Sequence, residues 1–235
     1  MKFIIEKNIN LSNERLAAAA RKAGHSVVRW EEGDKVPIDG SVFHGSLNAC
    51  RFMPGVLGSP DNLAVSSWSQ YTQNISLNSE IEFKTLGELN TIPSHWDRVF
   101  VRPNSPMKEF SGRVLDRSEL IPAKLGFGLY YDDENLFVAI SPAKVVLLEW
   151  RFVSVGRQIV ASSGYNPTTH LGYDSIPSSE VWDVAEKAAQ ICKEPTVVID
   201  VCLTDSGEAK LVEYNLFSGS DLYNCDCDAI VKALV

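Results

Sequence analysis

The stretch Thr196–Tyr223, reading TVVIDVCLTDSGEAKLVEYNLFSGSDLY, constrains this chain more than any other. Two runs rich in β-branched and apolar residues, Thr196–Leu203 and Glu208–Tyr214, flank Thr204-Asp205-Ser206-Gly207. That pattern predicts an antiparallel hairpin with a four-residue turn. In this register Leu203 faces Glu208, and Asp200 faces Leu211. Side chains repeat every second residue and cross-strand partners share a face, so Asp200, Leu211, Glu213 and Asn215 project to one side. Asp200 and Glu213 become diagonal neighbours, roughly 7 Å apart at the backbone. Two carboxylates and an amide oxygen make a hard oxygen site suited to Mg²⁺ carrying a nucleotide phosphate. On the hairpin alone, a polar face that simply meets water is the simpler account. An odd-length turn would put Asp200 on the opposite face.

The chain before the hairpin divides into an α/β start and an antiparallel middle. Lys2–Glu6 reads as a short buried strand. Ser12 offers an N-cap for a helix through Leu16 and the alanine run to Ala23, with Gly24 as its stop. His25–Trp30 and Ser41–Leu47 read as the second and third strands, so the β-α-β start implies a small parallel sheet. Gly45-Ser46 falls at a strand carboxyl end, where open α/β sheets bind ligands, although a plain turn suffices for the dipeptide alone. There is no GxGxxG and hence no support for a classical dinucleotide site. From Met53 to Ser94 the chain reads as loops and short helices joining two units, with Thr85–Leu89 a short helix. His95–Pro103, Arg113–Leu115, Leu136–Ile140, Val145–Val155 and Gln158–Ser162 read as strands, and Asn104–Gly112 as a polar turn. Tyr165–Ser178 is a polar loop before an amphipathic helix, Glu180–Lys193, capped by Ser179. Phe217–Tyr223 is a loop, and Asp226 caps a last helix to Leu234.

Composition narrows the partners. With 235 residues the chain is long enough for one large or two small domains, and its 22 Lys and Arg against 30 Asp and Glu leave −8. Net acidity argues against nucleic acid or anionic membrane as a general partner. No apolar run approaches ~18 residues, so no membrane span is expected, and MKFIIEKNIN is too short and too charged for a signal peptide. The five cysteines show no disulfide or zinc spacing, so reduced thiols in a cytoplasmic protein are expected. His25, His44, His95 and His170 form no constellation and are read as structural.

Two further sets of residues carry chemistry. Arg102 closes a strand, Lys108 follows six residues on, and Phe110-Ser111-Gly112 come next; a small-residue loop lets backbone N–H groups approach phosphate while Arg and Lys supply charge. In Glu149-Trp150-Arg151, the two charged residues share a strand face and Trp150 takes the other. Alone, the first is an ordinary hairpin loop and the second a surface ion pair.

Together with the hairpin, in this order, they resemble the ATP-grasp superfamily, most closely its small phage and bacterial clade of predicted amide-bond ligases. The resemblance rests on FVRPNSPMKEFSG (Phe100–Gly112), LLEWRFVSVGRQIVASSGY (Leu147–Tyr165) and VVIDVCLTDSGEAKLVEYNLFSGSDLY (Val197–Tyr223). It implies an α/β (α+β) fold: a small parallel-sheet pre-ATP-grasp domain at 1–94, then an ATP-grasp domain at 95–235. The latter splits into a lid-like subdomain about 95–146 and a metal-binding subdomain about 147–235. By the same resemblance Asp200, Glu213 and Asn215 hold Mg²⁺ against ATP, and Arg102 and Lys108 contact the phosphates under a loop of Ser111 and Gly112. Glu149 helps hold the nucleotide, Arg151 faces the γ-phosphate or acyl-phosphate, and adenine lies against a hinge at Leu136–Ile140. Arg151 and Lys108 are the catalytic candidates. Arg102 stands where many ATP-grasp enzymes carry lysine.

The implied activity is a carbon–nitrogen ligase: ATP phosphorylates a carboxylate, and an amine displaces phosphate from the acyl-phosphate to give an amide. Such chemistry needs positioning and charge neutralisation, not a protein nucleophile. The acid and amine would belong to a small molecule, a peptide or a protein tail, with acceptor contacts expected from the N-terminal unit and the loops Asn48–Gln73 and Tyr165–Ser178. The alternatives are a catalytically silent nucleotide-binding module and a phosphotransferase on the same fold.

Overall fold

Three β-sheets organise the chain in the computed structural model, which describes residues 1–7, 11–36, 40–53, 60–120, 133–166, 168–169 and 171–235. The first is parallel, in the order β2-β1-β3: β1 (Lys2–Glu6), β2 (Ser26–Trp30) and β3 (Ser41–His44). Helix α1 (Leu11–Lys22) makes the crossover, and Gly24 ends it at φ +81°, a left-handed turn that glycine adopts without strain. Ser12 lies inside this helix. Its hydroxyl donates to Asp221 and accepts from the Leu222 N–H at 3.1 Å, so the expected cap instead ties the helix to a distant loop.

The segment read as connecting loops contains α2 (Leu47–Cys50), α3 (Pro60–Leu63), α4 (Val65–Thr72) and a strand, β4 (Glu82–Thr85), followed by a 3₁₀ helix at Leu86–Thr91. Strand β4 pairs with β7 (Phe137–Pro142), which pairs with β5 (Arg98–Pro103), itself beside β6 (Arg113–Asp116). These four make an antiparallel lid sheet. Its core joins Val99, Val101, Val138 and Ile140 to Leu86, Leu89 and Ile92, so β4 joins the lid by pairing and residues 86–92 by packing, while Phe83 packs against the central-sheet core.

The third, central sheet runs β10-β9-β8-β11-β12: β8 (Val146–Val155), β9 (Gln158–Tyr165), β10 (Gly172–Tyr173), β11 (Thr196–Thr204) and β12 (Ala209–Leu216). One face packs on α5 (Ser179–Ile191) through Trp150, Phe152, Ile199, Leu211 and Tyr214. Ser178, not Ser179, caps α5 by accepting from the Val181 N–H. The other face is apolar at one end, where Val153 and Val198 meet Phe3, Leu16 and the last helix, α6 (Cys227–Leu234). At its other end that same face carries charge. Asp226 caps α6 as expected, accepting from the Asp228 and Ala229 N–H groups.

The hairpin differs from its expected register. Leu203 pairs with Ala209 across a five-residue loop, and Leu211 faces Val201, not Asp200. The odd loop alone would turn Asp200 away from Glu213. A β-bulge at Val212 restores the phase, so Asp200 pairs directly with Glu213 and Val198 with Asn215. The three residues share a face because two shifts of one residue add up to two, one full period of a strand.

Candidate active site

A cleft of about 560 Å³ opens between the lid sheet and the charged end of the central sheet. Eight of the nine residues singled out in the sequence line it: Arg102, Lys108, Ser111, Gly112, Glu149, Arg151, Glu213 and Asn215. Asp200 lies behind them, with no exposed surface. Segments more than a hundred residues apart in sequence meet here because two sheets face each other.

From the lid side, Arg102 near the end of β5 places Nη1 2.7 Å from Glu213 Oε2. Lys108 takes a left-handed backbone, φ +48°, which turns the loop so that Nζ donates to Glu213 Oε1 at 2.8 Å. Gly112 is required by space: a Cβ there would come within 2.5 Å of the Phe100 ring. From the central sheet, Arg151 on β8 sits opposite Asp200 on β11 and makes two parallel bonds to it, Nε to Oδ1 at 2.9 Å and Nη2 to Oδ2 at 2.7 Å. This fork geometry is the strong form of a carboxylate–guanidinium pair. The third nitrogen, Nη1, donates to the Asp221 carbonyl at 2.7 Å. The NH₂ of Asn215 joins the two carboxylates, donating to Asp200 Oδ2 at 2.9 Å and to Glu213 Oε1 at 3.1 Å.

The electrostatics follow from burial and pairing. Burial alone would raise the Glu213 carboxyl, but Lys108 and Arg102 overcome it and hold the group well below the usual carboxylate range. No cation among the described residues makes an ion pair with Glu149. Burial pushes its carboxyl up to about 7, with Asp200 and Glu213 adding to the rise and the Tyr165 hydroxyl, which donates to it, and the nearby Arg151 opposing. Burial also pushes Tyr223 up to about 12.

Sequence reasoning assigned no role to Tyr223 or Asp221, and singled out Tyr165 only as the start of a loop expected to meet an acceptor; all three also line the cleft. The Tyr165 and Tyr223 rings stack at 4.7 Å, and the Arg151 guanidinium carbon lies 5.4 Å and 4.9 Å from their centroids. Tyr165 is the cross-strand partner of Glu149, but a bulge in β9 breaks a simple count back from the turn. Leu136–Ile140, expected at the adenine, does not line the cleft; Lys144, in the link from β7 to β8, and Val146, the first residue of β8, do. Of the two loops expected to meet an acceptor, only Tyr165 lines the cleft among the described residues, and His170 lies outside them.

Glu213 and Asn215 present oxygen-bearing groups at the cleft wall with Asp200 directly behind, a hard donor set that suits Mg²⁺. No group of three or more His, Cys, Asp and Glu forms a metal centre among the described residues. Asn215, whose NH₂ donates to both carboxylates, would bring its amide oxygen to such an ion as the third group.

Two antiparallel sheets that grip a cleft lined with cations and carboxylates are the arrangement of the ATP-grasp class of fold. The sequence model of the ATP-grasp domain, R2K clade family 2, matches residues 77–233, and the chain belongs to that family. No curated protein matches it significantly by sequence. Among solved structures it is similar to D-cycloserine synthetase DcsG, at 14% identity and TM-score 0.67 over 100% of both chains. It is similar also to a RimK domain ATP-grasp protein from Sphaerobacter thermophilus, at 14% identity and TM-score 0.64 over 99% of this chain and 98% of the other. A third is the ATP-grasp ligase PsnB, solved with a phosphomimetic variant of its minimal precursor, Mg and ADP, at 12% identity and TM-score 0.63 over 99% and 97%. At these identities the likeness is one of fold.

Proposed function

We propose that this protein is an ATP- and Mg²⁺-dependent carboxylate–amine ligase that forms an amide or peptide bond through an acyl-phosphate. The observation that carries the reading is the convergence of Arg102, Lys108 and Arg151 with Glu213, Asn215 and Asp200 on one cleft between two sheets. Its family and its ligase neighbours support the same class. We place the start of the lid unit at Glu82 and not His95, because β4 belongs to the lid sheet.

Glu213 and Asn215 would hold Mg²⁺, with Asp200 as their support. When bound, the metal neutralises and orients the nucleotide phosphate oxygens. Arg102 and Lys108 supply charge to those oxygens from above, and the Ser111-Gly112 turn lets backbone approach closely. Arg151, fixed by Asp200 and the Asp221 carbonyl, stabilises the transferring phosphoryl group and the acyl-phosphate. The γ-phosphoryl passes to a carboxylate oxygen as ADP leaves; an amine then attacks the acyl carbon and phosphate leaves. Adenine is placed beside Lys144 and Val146, with Glu149 towards the nucleotide. The neighbour PsnB is a ligase solved with a precursor peptide, which makes a peptide acid or amine a reasonable first substrate class.

The test is phosphate release from ATP with panels of acids and amines, followed by mass spectrometry. Turnover requiring both substrates is expected, with ¹⁸O from a labelled acid appearing in phosphate. Phosphorylated acid without amide would identify a phosphotransferase. Nucleotide binding without turnover on a broad panel would identify a silent module.

A further inference from the structure

We propose that Glu213 is a built-in counter-ion latch: without ligands it occupies both lid cations, and Mg²⁺ and nucleotide release it only together. This rests on the nucleotide-site reading above. Both Glu213 oxygens are engaged, Oε2 by Arg102 at 2.7 Å and Oε1 by Lys108 at 2.8 Å, with Asn215 also donating to Oε1. These pairs run between sheets, from β5 and its following loop to β12, so they also hold the lid down on the central sheet. They are sheltered: the side chains of Arg102, Glu213 and Lys108 are 8%, 15% and 32% exposed. The Asp200–Arg151 pair differs, because both its members belong to the central sheet and it does not bridge the cleft.

The consequence is a charge exchange. A metal-free nucleotide that draws Arg102 and Lys108 onto its phosphates strips Glu213 of its partners and leaves a sheltered carboxylate uncompensated, which is strongly unfavourable. A metal ion that takes Glu213 alone must displace two cations and then sit beside them. When both ligands arrive, the cations pass to phosphate, the carboxylate passes to metal, and every charge keeps a partner. Each ligand therefore raises the affinity for the other, and by the same factor.

The test breaks the latch from either side. Glu213→Gln should bind ATP in EDTA tighter than wild type, on the order of tenfold, although it lacks a metal-binding carboxylate. Lys108→Gln should cost more ATP affinity in that variant, where Glu213 no longer competes for Lys108, than it costs in wild type, as a coupled pair requires. Lys108→Gln alone, a change at a partly exposed loop position, removes one of the two cations on Glu213 and leaves Arg102 on Oε2, and should bind Mn²⁺ alone tighter than wild type by electron paramagnetic resonance. If wild type binds Mg²⁺–ATP but neither variant gains affinity for its single ligand, the latch is overturned and the nucleotide site stands. If wild type binds no Mg²⁺–ATP and the variants bind no single ligand, both readings fall.

Discussion

Glu149 carries the clearest pH signature in the cleft. Its folded-state carboxyl titrates at about 7 against an ordinary 4.5, because burial disfavours its charge. Between these values the unfolded chain releases a proton that the folded chain keeps, so stability falls as pH rises through this window and is level above it. At about 1.4 kcal/mol per pKa unit, the ceiling on this effect is about 3 kcal/mol. Glu213 acts in the opposite sense and elsewhere: its folded-state value is depressed, so its contribution is present above pH 4.5 and lost as pH falls further. Glu149→Gln, which still accepts from Tyr165, should flatten the decline between pH 5 and 7 and raise stability at pH 8 by up to about 3 kcal/mol. Urea denaturation across pH measures this, and parallel curves for the two proteins would refute the burial effect.

At the scale of elements, the cleft depends on supports that touch no ligand. Helix α6 fills the apolar end of the central sheet through Ile230 and Val231, and Asp226 satisfies two of its free N–H groups. Asp226→Ala should cost about 1 kcal/mol in urea denaturation, with Mg²⁺–ATP affinity unchanged; a lost affinity would mean that α6 couples to the site. Bulges matter more to placement. Val212 in β12 and Val160 in β9 each add one residue to a strand, and only with them do Glu213 and Tyr165 fall opposite Asp200 and Glu149. A turn count cannot see a bulge, since a valine is an ordinary strand residue and nothing in its type marks Val212 or Val160 as the extra one.

Across the whole molecule, the cleft lies between the lid sheet and the central sheet, so a ligand seated there bridges them. Mg²⁺ with a non-hydrolysable ATP analogue at a hundred times its dissociation constant should stabilise the protein by about 2.7 kcal/mol. A rise in melting temperature checks this. No rise in wild type under these conditions would count against a nucleotide site in this cleft.

The sequence by itself determined the elements and the chemistry. The parallel start, most strands of the two antiparallel sheets, the helices ended by Gly24 or capped by Asp226, and the residue types of the site are all legible, because periodicity, capping and charge act over a few residues. Strand β4 was not, since four half-buried residues among turn formers give no alternation to read. Only the tertiary structure decided that Arg102 and Lys108 meet Glu213, that Asp200 is wholly committed to Arg151 and Asn215, and that Tyr165 and Tyr223 flank that pair. Those pairings join residues 14 to 111 positions apart. They depend on strand register and on the approach of two sheets, which are set by the cores as a whole and not by any local pattern.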